Sequence, residues 1–159
     1  MHSELYWIET ASTLRLAIAA RPRAGDWLAD EVAHWKRSGA GIVISLLERD
    51  EVDELGLGME AALCRQNDIE FLSFPIPDRC VPEDAGLAMQ FAREVAGRSK
   101  ATVIHCRAGI GRSSVMAAAI LIAGGVAPAA ALSAIGKARG LPIPDTDAQR
   151  DWGMKLQQP

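Results

Sequence analysis

Two short runs of uninterrupted apolar residues limit the fold of this chain more than any other feature. They are GIVISLL, residues 41–47, and ATVIHC, residues 101–106. A strand that is apolar on both faces must be covered on both sides, as strands of parallel sheets are. Helical patterns alternate with these runs, for example DWLADEVAHWKRSG from Asp26. The pattern predicts an α/β fold: a mainly parallel central sheet flanked by helices.

The remaining segments fit the same alternation. LYWIE, LRLAIAA and IEFLSFPI predict three further strands, and residues 51–66 predict one or two short helices. PIPDRCVPED predicts a loop, with Pro82 at the start of the following helix. From Arg112 onwards the chain predicts three helices. We interpret residues 1–159 as a single domain.

The longest apolar run, VMAAAILIAGGVAPAAALSAIG, has two interpretations: a membrane span or two packed core helices. It is rich in alanine rather than leucine, and it is broken by Gly124, Gly125 and Pro128. Two core helices fit this pattern better, and we expect no membrane association.

Charge and cysteine content limit the classes of partner and the cellular setting that we expect for this chain. The net charge is −3 and the isoelectric point is about 5.6, so no overall basic field favours nucleic acid. The three cysteines, an odd number without a CxxC motif, favour neither a disulfide framework nor a zinc site. MHSELYWIET has no pattern of a secretion signal. We therefore expect a reducing, cytoplasmic setting and neither metal nor cofactor.

The stretch VIHCRAGIGRSS, residues 103–114, joins a predicted buried strand to a predicted helix. We call residues 105–113 the anion loop. Ligands of such sheets bind beyond the carboxyl ends of the strands. Gly109 and Gly111 let the backbone curl so that successive N–H groups point inward, next to the positive end of a helix. The loop therefore predicts a site for a phosphate-like dianion.

The side chains of this loop add reactive chemistry. Backbone N–H groups, the helix dipole and Arg112 all favour the thiolate form of Cys106, which is a good nucleophile. Arg112 can hold two phosphate oxygens with its planar guanidinium. The Ser113 hydroxyl is placed to hydrogen-bond the sulfur and ease its later departure, and His105 is expected to orient the loop. A Walker-type nucleotide loop is disfavoured because GxxxxGK[ST] is absent.

HCRAGIGRS resembles the phosphate loop of the cysteine-dependent protein tyrosine phosphatases, HCxxGxxR[S/T]. GIVISLLERDE, FPIPDRCVPED and KARGLPIPDTDAQRDW are similar to segments of dual-specificity phosphatases, especially those similar to the kinase-associated phosphatase of cyclin-dependent kinases. The resemblance implies a single phosphatase domain that works through a cysteinyl-phosphate intermediate. It also implies phosphate binding by the loop residues Arg107, Ala108, Gly109, Ile110, Gly111 and Arg112.

A proton donor for the leaving group is also required. The resemblance assigns this role to Asp78, 28 residues before Cys106 in a proline-flanked loop; the alternative is a plain turn residue beside Pro77. Glu83 and Asp84 are rivals. TDAQ resembles a segment that positions the attacking water, which implies such a role for Gln149. We expect Asp145 to cap the last helix.

The expected reaction is hydrolysis of phosphotyrosine and of phosphoserine or phosphothreonine in a phosphorylated protein, by a monomeric enzyme. The alternative within the superfamily is a phosphoinositide or another non-protein phosphomonoester. Outside it, a phosphate-binding module without turnover and a sulfurtransferase or arsenate reductase stay open. The first usually lacks the loop cysteine or arginine, and the second needs a persulfide or a resolving thiol.

Overall fold

The computed structural model describes residues 2–156, and within them one sheet has five strands in the order β1-β2-β5-β3-β4. Four neighbouring strands are parallel, and β1 pairs antiparallel with β2 at the edge. The predicted α/β fold is therefore confirmed. The strands are β1 (Tyr6–Ile8), β2 (Leu16–Ala19), β3 (Ile42–Ser45), β4 (Glu70–Ser73) and β5 (Thr102–His105).

Helices cover both faces of the sheet. Side chains alternate along each strand, so Ile18, Ile44 and Ile104 share one core with α4, α5 and α6, while Val43 and Val103 face α1 and α3. The seven helices of the described residues are α1 (Trp27–Arg37), α2 (Arg49–Glu54), α3 (Glu60–Gln66), α4 (Ala85–Gly97), α5 (Arg112–Ala123), α6 (Pro128–Arg139) and α7 (Asp147–Met154).

The long apolar run forms α5 and α6, separated by residues 124–127. Residues 112–122 of α5 are all buried, because this helix lies between the sheet and its neighbours α4 and α6. That position explains a sequence that is apolar on every side. No helix within residues 2–156 has both the length and the apolar character needed to cross a membrane.

Two expectations about helix starts are wrong. The helix after the proline-rich loop begins at Ala85 rather than Pro82, and Asp84 caps it by accepting the Leu87 N–H at 3.0 Å. The last helix is capped by Thr146 rather than Asp145. In both cases a short polar side chain directly before the helix satisfies an N–H that the helix itself leaves unpaired.

The parallel strands bring three connections to one edge of the sheet. Ser45 and Ser73, the last residues of β3 and β4, are in register with each other, and Ser45 is also in register with His105 at the end of β5. The segments that follow are α2 after a short link, the proline-rich loop, and the anion loop. The candidate site lies where these three segments meet.

Candidate active site

The anion loop points its carbonyl groups outward. Four consecutive carbonyls each accept a hydrogen bond from outside the loop's concave side. A trans peptide places C=O and N–H on opposite sides, so the following N–H groups face inward. The donors are the Arg21 N–H to Arg107 O (3.1 Å), Arg139 Nη2 to Ala108 O (3.4 Å), Arg139 Nε to Gly109 O (3.1 Å) and the Ser114 hydroxyl to Ile110 O.

Gly109 is required by both conformation and space. Its φ is +72°, in the left-handed region that favours glycine. A Cβ at this position would lie 2.6 Å from the carbonyl carbon of Ala19 in β2. The loop therefore passes directly over the end of a neighbouring strand, and a side chain at residue 109 would displace it.

Cys106 is buried at the centre of the loop. Burial favours the neutral thiol, but the Ser113 hydroxyl and N–H, the Gly109 N–H and the Arg112 charge outweigh it and lower the pKa of Cys106. The sulfur lies 3.3 Å from the Gly109 nitrogen and 3.5 Å from Ser113 Oγ. A thiolate that accepts these bonds is the nucleophilic form of cysteine.

Arg112 is the first residue of α5, and its guanidinium is buried. Its Nη1 donates to Glu51 Oε1 at 2.7 Å and to the Ile76 carbonyl at 3.0 Å, and Nη2 donates to Glu51 Oε2 at 3.0 Å. Desolvation opposes its charge, but Glu51, the Cys106 sulfur and Asp78 raise the pKa of Arg112. The arginine is thus a fixed cation beside the sulfur.

Glu51 is a site residue that the sequence analysis missed. It lies 61 residues before Arg112 and also contacts Arg107, with Nε to Oε2 at 3.4 Å. Arg107 reaches Glu54 as well, at 3.4 Å. The sequence signal at residue 51 is a capping box at the start of α2, which explains a carboxylate there by its local role in starting the helix. Nothing in the sequence connects it to the anion loop.

Asp78 lies at the mouth of the site. Its Oδ1 is 3.1 Å from Arg112 Nη2, and its side chain is 60% exposed. The next residue, Arg79, has a φ of +62° and forms an ion pair with Asp145 at 3.8 Å. The proline-rich loop therefore brings one carboxylate to the arginine, while its neighbour pairs with the segment before α7.

The two rival carboxylates of this loop lie elsewhere. Asp84 caps α4, and Glu83 is exposed. Both line a separate cavity of about 300 Å³ together with Glu48 and Leu87. Of the three acidic candidates in this loop, Asp78 is the one that meets Arg112.

His105 faces away from the sulfur, into the core under α1 and α3. Its Nε2 lies 2.6 Å from Glu60 Oε2, and its Nδ1 lies 3.2 Å from the Cys106 carbonyl oxygen. The ring stacks near Trp35, with 6.1 Å between centroids. Burial disfavours the charged ring, but Glu60 and the Cys106 carbonyl raise the pKa of His105. His105 thus connects the anion loop to α3.

Gln149 is fully buried against the anion loop. Its Oε1 accepts the Thr146 N–H at 3.1 Å, and its Nε2 donates to the Cys80 carbonyl at 3.1 Å. A Cβ at Gly111 would lie within 3.0 Å of the amide. The amide is therefore close to the site. Its oxygen completes the cap of α7, and one of its N–H groups joins α7 to the proline-rich loop.

These residues enclose a cavity of about 170 Å³. A larger cavity, about 590 Å³, lies between the β1–β2 connection and α6 and contains none of the predicted site residues. Among residues 2–156, no cluster of three histidine, cysteine or carboxylate side chains could hold a metal ion. The smaller cavity is lined by Asp78, Arg79, Cys106, Arg107, Ala108, Ile110, Gly111, Arg112, Asp145 and Gln149.

Solved structures share the fold over almost the whole chain. The kinase-associated phosphatase with serine in place of its catalytic cysteine aligns with a TM-score of 0.85 at 20% identity, over 96% of this chain and 93% of that one. Tk-PTP in its active form gives 0.73 at 24%, over 93% and 92%, and human DUSP28 gives 0.65 at 18%, over 94% and 91%. No curated protein matches the sequence.

The model of one protein family matches residues 17–126, which is more than half of the chain. The family is described as a DSP-PTPase phosphatase of polymorphic toxin systems. The matched residues include the proline-rich loop and the whole anion loop. The chain therefore belongs to this family, within the cysteine-based dual-specificity phosphatases of the protein tyrosine phosphatase superfamily.

Proposed function

We propose that this phosphatase removes phosphate from phosphotyrosine, phosphoserine and phosphothreonine side chains through a cysteinyl-phosphate on Cys106. One observation carries the proposal: the buried sulfur lies 3.3 Å from an inward-facing N–H of the anion loop, beside the buried guanidinium of Arg112. The inward N–H groups of residues 107–111 and Arg112 bind the three phosphate oxygens that do not react.

In the first step the Cys106 thiolate attacks phosphorus, and the bond from phosphorus to the side-chain oxygen breaks. Asp78 gives that oxygen its proton, so the substrate leaves as an alcohol or phenol. The contact of Asp78 with Arg112 supports this role, because it places the carboxyl group next to the cation that holds the phosphate.

In the second step water attacks the thiophosphate. Asp78, now ionised, takes a proton from the water, the bond from sulfur to phosphorus breaks, and inorganic phosphate leaves. Ser113 donates to the departing thiolate, which its 3.5 Å separation from the sulfur supports. We assign to Gln149 the positioning of this water through the Nε2 hydrogen that does not bond Cys80.

Charge around the site favours a phosphoprotein over a phosphoinositide. Arg107 is the second cation of the anion loop, and Glu51 and Glu54 already balance it. It is therefore not available to a polyanionic headgroup.

We further propose a monomer of one domain, without a nucleic-acid partner, in a reducing cytoplasmic setting; the free thiols of Cys64, Cys80 and Cys106 fit such a setting. The family's description supports a place in a polymorphic toxin system.

The test is hydrolysis of p-nitrophenyl phosphate and of phosphopeptides by Cys106→Ser, with Cys80→Ser as the matched control. Cys106→Ser should lose activity below detection but keep binding phosphopeptide, while Cys80→Ser should retain full activity, in EDTA as without it. An inactive wild type, or an active Cys106→Ser, would overturn the proposal. Loss of turnover in Cys80→Ser would favour chemistry with a resolving thiol instead.

A further inference from the structure

Arg139 connects the end of α6 to the back of the anion loop. Its Nε donates to the Gly109 carbonyl at 3.1 Å, and its Nη2 donates to the Ala108 carbonyl at 3.4 Å. The guanidinium also lies over the ring of Tyr6 in β1, 4.2 Å from the centroid. One side chain thus joins the loop to a helix and a strand that supply none of the residues proposed for the reaction.

These two bonds differ from the others that hold the loop. The Arg107 carbonyl is bound by a backbone N–H, and the Ile110 carbonyl is bound by a residue of α5 itself. The Ala108 and Gly109 carbonyls depend on a side chain that is 31 and 30 residues away along the chain. If their carbonyls turned, the N–H groups of Gly109 and Ile110 would leave the concave side of the loop.

The planar shape of the arginine side chain matters here. A guanidinium presents parallel N–H donors that can reach two neighbouring carbonyls at once, whereas an ammonium group has no such fixed arrangement. Stacking on Tyr6 holds the plane in place. The geometry of Arg139 is therefore suited to fixing two consecutive peptide planes.

We propose that Arg139 is a positioning residue of the phosphatase, which holds the Ala108 and Gly109 peptides so that their N–H neighbours face the phosphate. The inference rests on the proposed function and adds a residue outside the motif to it. Arg139 acts through the loop and touches neither substrate nor sulfur.

The test is Arg139→Met, assayed for turnover of p-nitrophenyl phosphate and for binding of tungstate, a phosphate mimic. Loss of loop geometry should lower kcat/KM by roughly 100-fold, the usual cost of a misplaced catalytic group. Tungstate affinity should fall as well, since the same N–H groups bind it. The matched control is Lys137→Met, which removes a positive charge from the same last turn of α6; it should keep full activity. Equal activity of the two variants would overturn the proposal.

Two further measurements separate positioning from simple loss of stability. Arg139→Lys retains the charge and should still lose about 10-fold, because it lacks the planar donor pair. Arg139→Ala should regain activity when millimolar guanidinium is added. If the defect of the variant were only low stability, guanidinium would destabilise the protein further and lower its activity. If Arg139→Met does not fold, these variants decide: wild-type activity of Arg139→Lys, or no rescue of Arg139→Ala, contradicts the inference.

The tungstate measurement also keeps this inference distinct from the proposed reaction. If the wild type binds tungstate but hydrolyses no phosphoester, the reaction is wrong and Arg139 is still judged by tungstate affinity. If the wild type is an active phosphatase and Arg139→Met binds tungstate as tightly as the wild type, the proposed role of Arg139 is wrong and the proposed reaction stands.

Discussion

Cys106 is buried, and burial alone would keep its sulfur protonated. Short-range contacts from Ser113, Gly109 and Arg112 reverse this preference and lower its pKa. These three residues all lie within seven positions of Cys106 along the chain, so the chemistry of the sulfur is a local property of the loop. The proposed proton donor is different, because Asp78 lies in the proline-rich loop that follows β4, far from Cys106 along the chain.

The role of Asp78 predicts a dependence on the leaving group. Asp78→Asn should lower kcat/KM, which reports phosphoryl transfer to Cys106 and not the later hydrolysis, by about 10²- to 10⁴-fold for a phosphoserine peptide, the usual range for a general acid. The loss for p-nitrophenyl phosphate should be much smaller, since p-nitrophenolate leaves readily without a proton. Steady-state kinetics with both substrates would measure this. Glu83→Gln, in the same loop, is the control and should be neutral; equal losses for both substrates would contradict the acid role.

At the scale of elements, α2 positions Arg112 through its first turn. The Glu51 side chain accepts the Glu48 N–H at 3.0 Å and also holds the guanidinium. Burial opposes the charge of Glu51, but Arg112 and the Glu48 N–H lower its pKa, so the carboxylate is ionised at neutral pH. A helix start and the orientation of the Arg112 guanidinium thus depend on one side chain.

Glu51→Gln separates these two tasks. Glutamine is also accepted at this position of a capping box, so the helix should keep its start. The charge-assisted pair with Arg112 is lost, and such bonds contribute about 1.5–3 kcal/mol, so kcat/KM should fall by about 10- to 100-fold. Glu54→Gln removes a carboxylate that contacts Arg107 from an exposed position, and it should have little effect. A Glu51→Gln enzyme with wild-type kinetics would contradict the role of Glu51.

At the scale of the whole molecule, the pair of His105 and Glu60 joins the end of β5 to α3. The folded protein raises the pKa of His105, so its contribution to stability is present below the ordinary value of about 6.5. That contribution is lost as pH rises through the raised value. Cys106 has a lowered pKa and acts with the opposite sign: its contribution is lost as pH falls through its folded pKa.

This difference defines a stability experiment. In a Cys106→Ser background, the free energy of unfolding in urea should fall as pH rises from about 6.5. Glu60→Gln in the same background should be less stable at low pH by about 3–5 kcal/mol, because it leaves a buried charge without its partner. Its stability should also change much less with pH. Parallel pH curves for the two proteins would show that this pair does not stabilise the fold as an ion pair.

Much of this architecture could be predicted from the sequence, because the signals are local. Apolar runs such as residues 41–47 predict buried strands, and spacing within residues 105–113 predicts a phosphate loop regardless of what surrounds it. The helix starts at Ala85 and Asp147 were harder to predict, since several polar residues near each start could act as the cap. Asp84 and Thr146 are the caps because of the backbone geometry before each helix, which the sequence does not show.

By itself, the sequence determined the fold class, the family, and the choice of Cys106 and Arg112 as candidate site residues, since each depends on residues close together along the chain. Only the tertiary structure decided what holds that chemistry in place. Glu51, Glu60 and Arg139 lie 61, 45 and 30 residues from their partners in or beside the anion loop. The physical reason is that a hydrogen bond depends on distance in space, and sheet order and helix packing set that distance rather than sequence spacing.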